Sequence, residues 1–222
     1  MILSVNDLSH EYTQGHNKLQ ILKDLKLELQ NGETLSIMGK SGSGKSTLLN
    51  LLAGLMRPTS GEVNIMGQSF STLSDKKRTK IRGKNLGVIF QQFHLLPHLT
   101  AIENITFAGE INNIDEVKQK ASNLLERVGL SDRESHFPHE LSGGEMQRVA
   151  VARALITSPR IILADEPSGS LDEKNAKEII DLIFELVDEK KTSLIFVTHD
   201  EDLSKRCSRS LILDGGVLRE RD

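Results

Sequence analysis

The chain has 222 residues, a formal net charge of −3 and 37% hydrophobic residues. This length fits one large domain with its own core, and the composition is ordinary for a globular protein. The acidic balance argues against a nucleic-acid partner, which normally requires a basic surplus or stripe. The longest apolar runs are a few residues, whereas a membrane-spanning helix needs about 20, so no span is expected.

The first third of the sequence predicts short strands and turns. Apolar residues alternate over 25–29, which is typical of a half-buried strand, and Asn31-Gly32 marks a turn. The buried strand predicted for Thr34–Met38 leads into a glycine-rich loop and then a helix over Thr47–Ala53. The order strand, loop, helix is that of a nucleotide-binding unit.

The middle of the chain, from about 95 to 140, predicts helices and is more polar. One predicted helix begins at Asp115, has an apolar face from Val117 to Val128 and is ended by Gly129. The last third alternates again, with a strand at Ile161–Ala164, a helix at Glu173–Lys190 and a strand at Ser193–Thr198. We therefore predict an α/β fold with a mostly parallel core sheet, an antiparallel β subdomain near the N-terminus and a helical insertion.

The glycine-rich loop matches the phosphate-binding pattern G-x-x-x-x-G-K-[ST] in full, as Gly39-Lys40-Ser41-Gly42-Ser43-Gly44-Lys45-Ser46. Its backbone N–H groups and the following helix N-terminus form an anion site. We expect Lys45 to reach the β- and γ-phosphates and Ser46 to ligate Mg²⁺, with Thr47 completing the nucleotide site. No Asn-Lys-x-Asp segment for guanine is present, so ATP is the expected nucleotide.

Two adjacent carboxylates follow the strand at Ile161–Ala164. The carboxyl end of such a strand is where an open α/β sheet places its ligand. We expect Asp165 to hold Mg²⁺ and Glu166 to polarise the attacking water as general base.

The run Leu141-Ser142-Gly143-Gly144-Glu145, with Gln147-Arg148 and a predicted helix over Val149–Ile156, resembles the signature motif of ABC transporter ATP-binding domains. Other elements of that family occur in order. Tyr12, the single tyrosine, resembles the adenine-stacking aromatic, Gln91 the Q-loop glutamine, Asp172 the end of the D-loop, and His199 the switch histidine.

The resemblance implies a single ABC ATP-binding domain over 1–222, with a helical subdomain over about 95–157. It implies a homodimer with ATP held between the Lys45 loop of one chain and the Ser142-Gly143-Gly144 loop of the other. Gln91 would sense the γ-phosphate, Mg²⁺ or water, and His199 would orient Glu166. A separately encoded membrane permease would be the partner, at the cytoplasmic face of the bacterial inner membrane, with no nucleic acid.

Residues 91–105 and 164–172 resemble a bacterial subgroup that includes ATPases of lipoprotein release and macrolide export. The subgroup more often reads Thr-Gly-Asn-Leu-Asp where this chain has Ser168-Gly169-Ser170-Leu171-Asp172. Export, lipoprotein extraction or mechanical transmission is therefore the expected function. Two alternatives stay open: a non-transport complex that regulates a periplasmic enzyme, and a soluble ABC ATPase acting on ribosomes or DNA.

Overall fold

A computed structural model describes residues 1–15 and 17–221. The chain groups into two compact units, one of Met1–Arg82 with Lys191–Asp222 and one of Gly83–Lys190. In chain order the elements are β1 Leu3–Gln14, β2 Asn17–Leu29, β3 Thr34–Met38, α1 Lys45–Leu52, β4 Ser60–Ile65, β5 Gln68–Ser69, α2 Asp75–Asn85, β6 Leu86–Ile89, α3 Ala101–Ile111, α4 Val117–Arg127, α5 Gly143–Leu155, β7 Ile161–Asp165, α6 Glu173–Lys190, β8 Ser193–Thr198, α7 Glu201–Ser204, β9 Arg209–Asp214 and β10 Val217–Glu220.

The first unit contains an antiparallel sheet in the order β2-β1-β4-β5. Its strand β2 buries Leu25, Leu27 and Leu29 and exposes the residues between them. Leu3 and Val5 of β1 face Leu29 and Leu27 in register. Alternation of this kind places one apolar face on the core and leaves the other to solvent, so the predicted antiparallel β subdomain is confirmed.

The same unit contains strands β10, β9, β3 and β8, hydrogen-bonded in that order. β3 is parallel to both β8 and β9, while β10 returns antiparallel to β9 as a hairpin. Every residue of β8 is buried. A continuous buried run of this kind is typical of parallel strands covered on both faces, and it fixes the carboxyl ends of β3 and β8 beside each other.

The second unit contains the parallel pair β6 and β7 and the helices α3 to α6. Helix α6 has the predicted bounds, whereas α4 begins at Val117. Helix α5 begins at Gly143, six residues before the predicted start at Val149. The reason is its capping box, in which Ser142 and Glu145 satisfy each other's backbone N–H groups and allow two glycines in the first turn.

Gly61 of β4 lies against the backbone of β1, where there is little room for a side chain. Its φ is 78°, and a Cβ there would lie 2.2 Å from the carbonyl oxygen of Asp7. Gly67 has a similar φ of 75° but nothing within 4 Å of a Cβ. Left-handed backbone alone costs an L-residue about 1–2 kcal/mol.

We expect Gly61→Ala to lower the free energy of unfolding by more than about 2 kcal/mol, because backbone strain and a clash with main-chain atoms add. The matched control Gly67→Ala should lose only about 1 kcal/mol from the strain. Urea unfolding of both variants checks this. Equal losses would show that β1 shifts to accommodate the methyl group.

Candidate nucleotide-binding and hydrolysis site

The phosphate loop (Gly39–Ser46) connects β3 to α1 in the first unit. Gly44, the N-cap residue of α1, has a φ of 101° and provides no side-chain cap. A side chain at this position would also meet Ile21, whose Cγ2 lies 2.8 Å from the site of a Cβ. The N–H groups of the first turn of α1 therefore have no capping side chain, which is the arrangement that binds anions at a helix N-terminus.

Two polar side chains of this loop, Lys45 and Ser43, are directed into its interior. Lys45 is buried, at 7% exposure, and its ammonium donates to the carbonyl oxygens of Gly39 at 2.9 Å and Lys40 at 3.1 Å. The Ser43 hydroxyl is buried without a hydrogen-bond partner in the part of the chain that the structure describes. A buried hydroxyl in an anion-binding loop is suited to a phosphate oxygen.

Tyr12 lies on β1 near the start of α1. Its hydroxyl is 3.4 Å from Oγ1 of Thr47 and 3.6 Å from Sδ of Met56. Its side chain is 41% exposed, so the ring keeps an accessible surface. The structure thus brings the predicted base-stacking residue to the predicted phosphate-binding helix.

His199 follows β8 and is exposed. Asp200 fixes the turn after it by accepting hydrogen bonds from the backbone N–H groups of Asp202 at 2.8 Å and Leu203 at 3.2 Å. A cavity of about 420 Å³ has His199, Gly39 and Lys40 in its lining. His199, the predicted switch histidine, and the phosphate loop therefore line one cavity in the first unit.

Asp165 is the last residue of β7 in the second unit and Glu166 follows it, and both are half-buried. Glu166 has a φ of 43°, an uncommon conformation for a residue with a side chain. Its carbonyl oxygen accepts from the N–H of Gly169 at 2.9 Å, which closes a tight turn. Backbone conformations of this kind are more frequent at functional sites than elsewhere.

Gln91 is exposed and lies beside the D-loop (Ser168–Asp172). The hydroxyl of Ser170 donates to the carbonyl oxygen of Gln91 at 3.0 Å. A Cβ on Gly169 would be 2.8 Å from Nε2 of Gln91, so the two residues lie close together. The structure therefore places Gln91, the loop of Glu166 and the D-loop together.

The signature loop (Ser142-Gly143-Gly144) forms the N-terminus of α5. The N–H of Ser142 donates to Glu145 at 2.8 Å, and the N–H of Glu145 donates to the Ser142 hydroxyl at 3.3 Å. The capping box therefore uses two N–H groups of this turn. Those of Gly143 and Gly144 are the donors left for an anion.

Asp172 ends the D-loop and is exposed. Its carboxylate accepts from the side chain of Asn175 at 2.5 Å and from the N–H of Asn175 at 3.1 Å. These hydrogen bonds lower the pKa of Asp172, so the carboxylate is held in its charged form.

Two contacts at this site were not assigned a role from the sequence. Gln147 is fully buried and donates to the carbonyl oxygen of Phe90 at 3.2 Å, which ties α5 to the segment before Gln91. Ser170 contacts Gln91 directly. The only sequence feature that could have indicated a role for Ser170 is the departure of the D-loop from the usual subgroup pattern at this position. For Gln147 the sequence offers only its place in the signature helix.

Within residues 1–15 and 17–221, no group of three or more His, Cys, Asp or Glu side chains is arranged to hold a metal ion. In the same residues, none of the helices combines the length and the apolar character that crossing a bilayer requires.

Comparison with known proteins decides the family. A model of the family described as ABC transporter matches residues 22–169, which is more than half of the chain. This chain belongs to the ABC transporter family. It is an ATP-binding and ATP-hydrolysing protein, so the predictions of ATP as nucleotide and of an ABC-type fold are confirmed.

Other ABC proteins are similar over nearly their full length. A protein of Hydrogenovibrio crunogenus named lipoprotein-releasing system ATP-binding protein LolD is 47% identical, over 97% of this chain and 95% of its own. The LolD of Pseudomonas fluorescens is 48% identical, over 98% of this chain and 96% of its own. The dimeric, post-hydrolysis structure of the ATP-binding cassette MJ0796 with ADP and Pi has a TM-score of 0.92 and 37% identity, over 100% of this chain and 98% of that one.

Glu145 makes the signature helix sensitive to acid. The backbone N–H of Ser142 lowers the pKa of Glu145, burial opposes this, and the Ser142 side chain and Arg133 add smaller lowering effects. Because the pKa is lower in the folded state, the stabilisation is present above the unfolded-state pKa of about 4.3. It is lost as the pH falls through the folded-state value.

We expect Glu145→Gln to cost up to about 1 kcal/mol of unfolding free energy at pH 7, because the amide can still accept the capping hydrogen bond but lacks the charge, and less at pH 4. Urea unfolding of both proteins at the two pH values measures this. Glu185→Gln, on the exposed face of α6, controls for removal of one negative charge. An equal cost of Glu145→Gln at both pH values would contradict the assignment.

Proposed function

We propose that this ABC protein is the ATPase subunit of a bacterial transporter of the lipoprotein-releasing type, and that it drives a separately encoded membrane permease. The observation that carries the proposal is the similarity to proteins named LolD at 47–48% identity over 97–98% of this chain. Similarity of this extent includes all the segments that hold the site residues. The D-loop departure at Ser168 and Ser170 leaves Asp172 in place.

In the proposed mechanism two copies of the chain share each ATP. The phosphate loop and Lys45 of one copy bind the triphosphate, and Tyr12 of the same copy stacks on the adenine. The signature loop of the second copy contributes the Ser142 hydroxyl and the N–H groups of Gly143 and Gly144. The dimeric state of the similar MJ0796 cassettes supports this arrangement.

Hydrolysis requires a metal ion and an activated water. Ser46, Asp165 and Gln91 would hold Mg²⁺, which neutralises charge on the phosphates when it is bound. Glu166 takes a proton from the attacking water as general base, and His199 contacts the γ-phosphate and orients Glu166. Asp172 of the partner's D-loop would complete the closed dimer.

A surface of the second unit supports docking of the permease. A cavity of about 360 Å³ is lined in part by Phe90, His94 and Ala108. On α3, Phe107 is 46% exposed and Ile111 is 61% exposed. Exposed apolar side chains beside a cavity are typical of a protein-binding surface. Through this surface the permease would reach the segment that contains Gln91.

The cellular location of this chain follows from its proposed partner, the membrane permease. An ATPase bound to a permease lies at the membrane surface, and ATP is available in the cytoplasm. We therefore place this chain at the cytoplasmic face of the inner membrane, as a peripheral subunit.

We expect Glu166→Gln to reduce ATP hydrolysis at least about 100-fold, because the general base is lost. ATP binding should persist, so the variant should accumulate as an ATP-bound dimer. Size-exclusion chromatography with light scattering, with and without ATP, measures this. A monomeric variant with full turnover would contradict the role of Glu166.

The permease is tested by affinity purification of tagged Glu166→Gln protein from membranes with ATP, followed by mass spectrometry. We expect a membrane protein with a large periplasmic domain, and Lys45→Ala protein as control should recover less of it. Recovery with ribosomes, with DNA or without a membrane partner would overturn the transporter proposal. The assignment of this chain as an ATPase would not change.

A further inference from the structure

His10 is buried on β1 two residues before Tyr12. Its exposure is 8%, and neither ring nitrogen has a hydrogen-bond partner in the described parts of the chain, 1–15 and 17–221. Buried imidazoles normally satisfy at least one nitrogen. Since no hydrogen bond orients this ring, packing against its neighbours does so.

The ring that His10 contacts is that of Tyr12. The two centroids are 4.9 Å apart and the planes meet at 88°. Perpendicular contacts of this kind are favourable, because the positive edge of one ring meets the negative face of the other. Tyr12 is thus held at two places, at its hydroxyl near Thr47 and Met56 and at its ring by His10.

The side chain of Leu22 connects His10 to the phosphate loop by packing. It is opposite Leu22 in the pairing of β1 with β2. Cδ2 of Leu22 lies 3.0 Å from where a Cβ of Gly44 would be. The β1–β2 pair therefore lies over the start of α1, and the orientation of Tyr12 is set within the same packed group.

We propose that His10 is a positioning residue for the nucleobase: it holds the ring of Tyr12 in the orientation that stacks on adenine. His10 thereby sets the affinity for the base and leaves the affinity for the triphosphate unchanged. The inference rests on the proposed role of Tyr12. Because His10 has no hydrogen bond to lose, a phenylalanine in its place should support Tyr12 equally well.

The chain offers a specific reporter for this contact. It contains one tyrosine and no tryptophan, so tyrosine emission comes from Tyr12 alone. Titrations with ATP in EDTA, which prevents turnover, should change this emission when adenine stacks. Calorimetry with ATP and with inorganic tripolyphosphate separates binding of the base from binding of the phosphates.

We expect His10→Ala to raise the Kd for ATP about 5-fold and to reduce the emission change, while the Kd for tripolyphosphate stays within about 2-fold. His10→Phe should restore the ATP affinity. Tyr12→Ala, which removes the stacking ring, should raise the Kd for ATP about 10-fold or more. If His10→Ala does not fold, His10→Leu, which keeps volume but lacks a ring, should behave as His10→Ala is expected to.

Three results would overturn the proposal. An equal loss of affinity for ATP and tripolyphosphate in His10→Ala would indicate general damage to the site. Failure of His10→Phe to restore ATP binding would show that the imidazole nitrogens are needed. An unchanged ATP affinity in His10→Ala, with a raised Kd for ATP in Tyr12→Ala, would show that His10 does not position Tyr12. The base-stacking role of Tyr12 would then still stand. If Tyr12→Ala also binds ATP normally, the base-stacking assignment itself is wrong.

Discussion

The N-terminus of α1 is the constraint on which the rest of the site depends. Gly44 leaves the first turn without a capping side chain, so its N–H groups and the helix dipole favour an anion from outside. The N-terminus of α5 differs, because Ser142 and Glu145 cap it. The N-terminus of α1 is thus arranged to bind the triphosphate. The N-terminus of α5 offers fewer free N–H donors, which suits a loop that completes a site formed largely by another chain.

Hydrogen bonds from helix α5 and from the D-loop hold the segment after β6 in place. The carbonyl oxygens of this segment accept hydrogen bonds from Gln147 and Arg153 of α5 and from Ser170 of the D-loop. A permease that displaced Gln91 would therefore disturb the signature helix and the turn after Glu166 together. This gives the proposed coupling between transport and hydrolysis a physical connection in the structure.

Much of this could be predicted from the sequence, for identifiable reasons. The phosphate loop and the strand before Asp165 have local patterns with a defined geometry, and β3, α6 and β8 have the predicted bounds. The start of α5 was missed because a capping box overrides the poor helix propensity of two glycines. The contact of Ser170 with Gln91 depends on tertiary approach, which no local pattern records. His10 and Tyr12 lie two residues apart on one strand, so a period of two places them on the same face, but it does not show that His10 is buried.

The shared site is the central claim, and mixing two inactive variants tests it most directly. Lys45→Ala disables the phosphate loop, and Ser142→Arg blocks the signature loop. In a mixed dimer one ATP site contains both altered loops and the other contains neither. The mixture should therefore hydrolyse ATP at up to about a quarter of the wild-type rate, while each variant alone is inactive. Activity no greater than the sum of the separate variants would contradict a site formed between two chains.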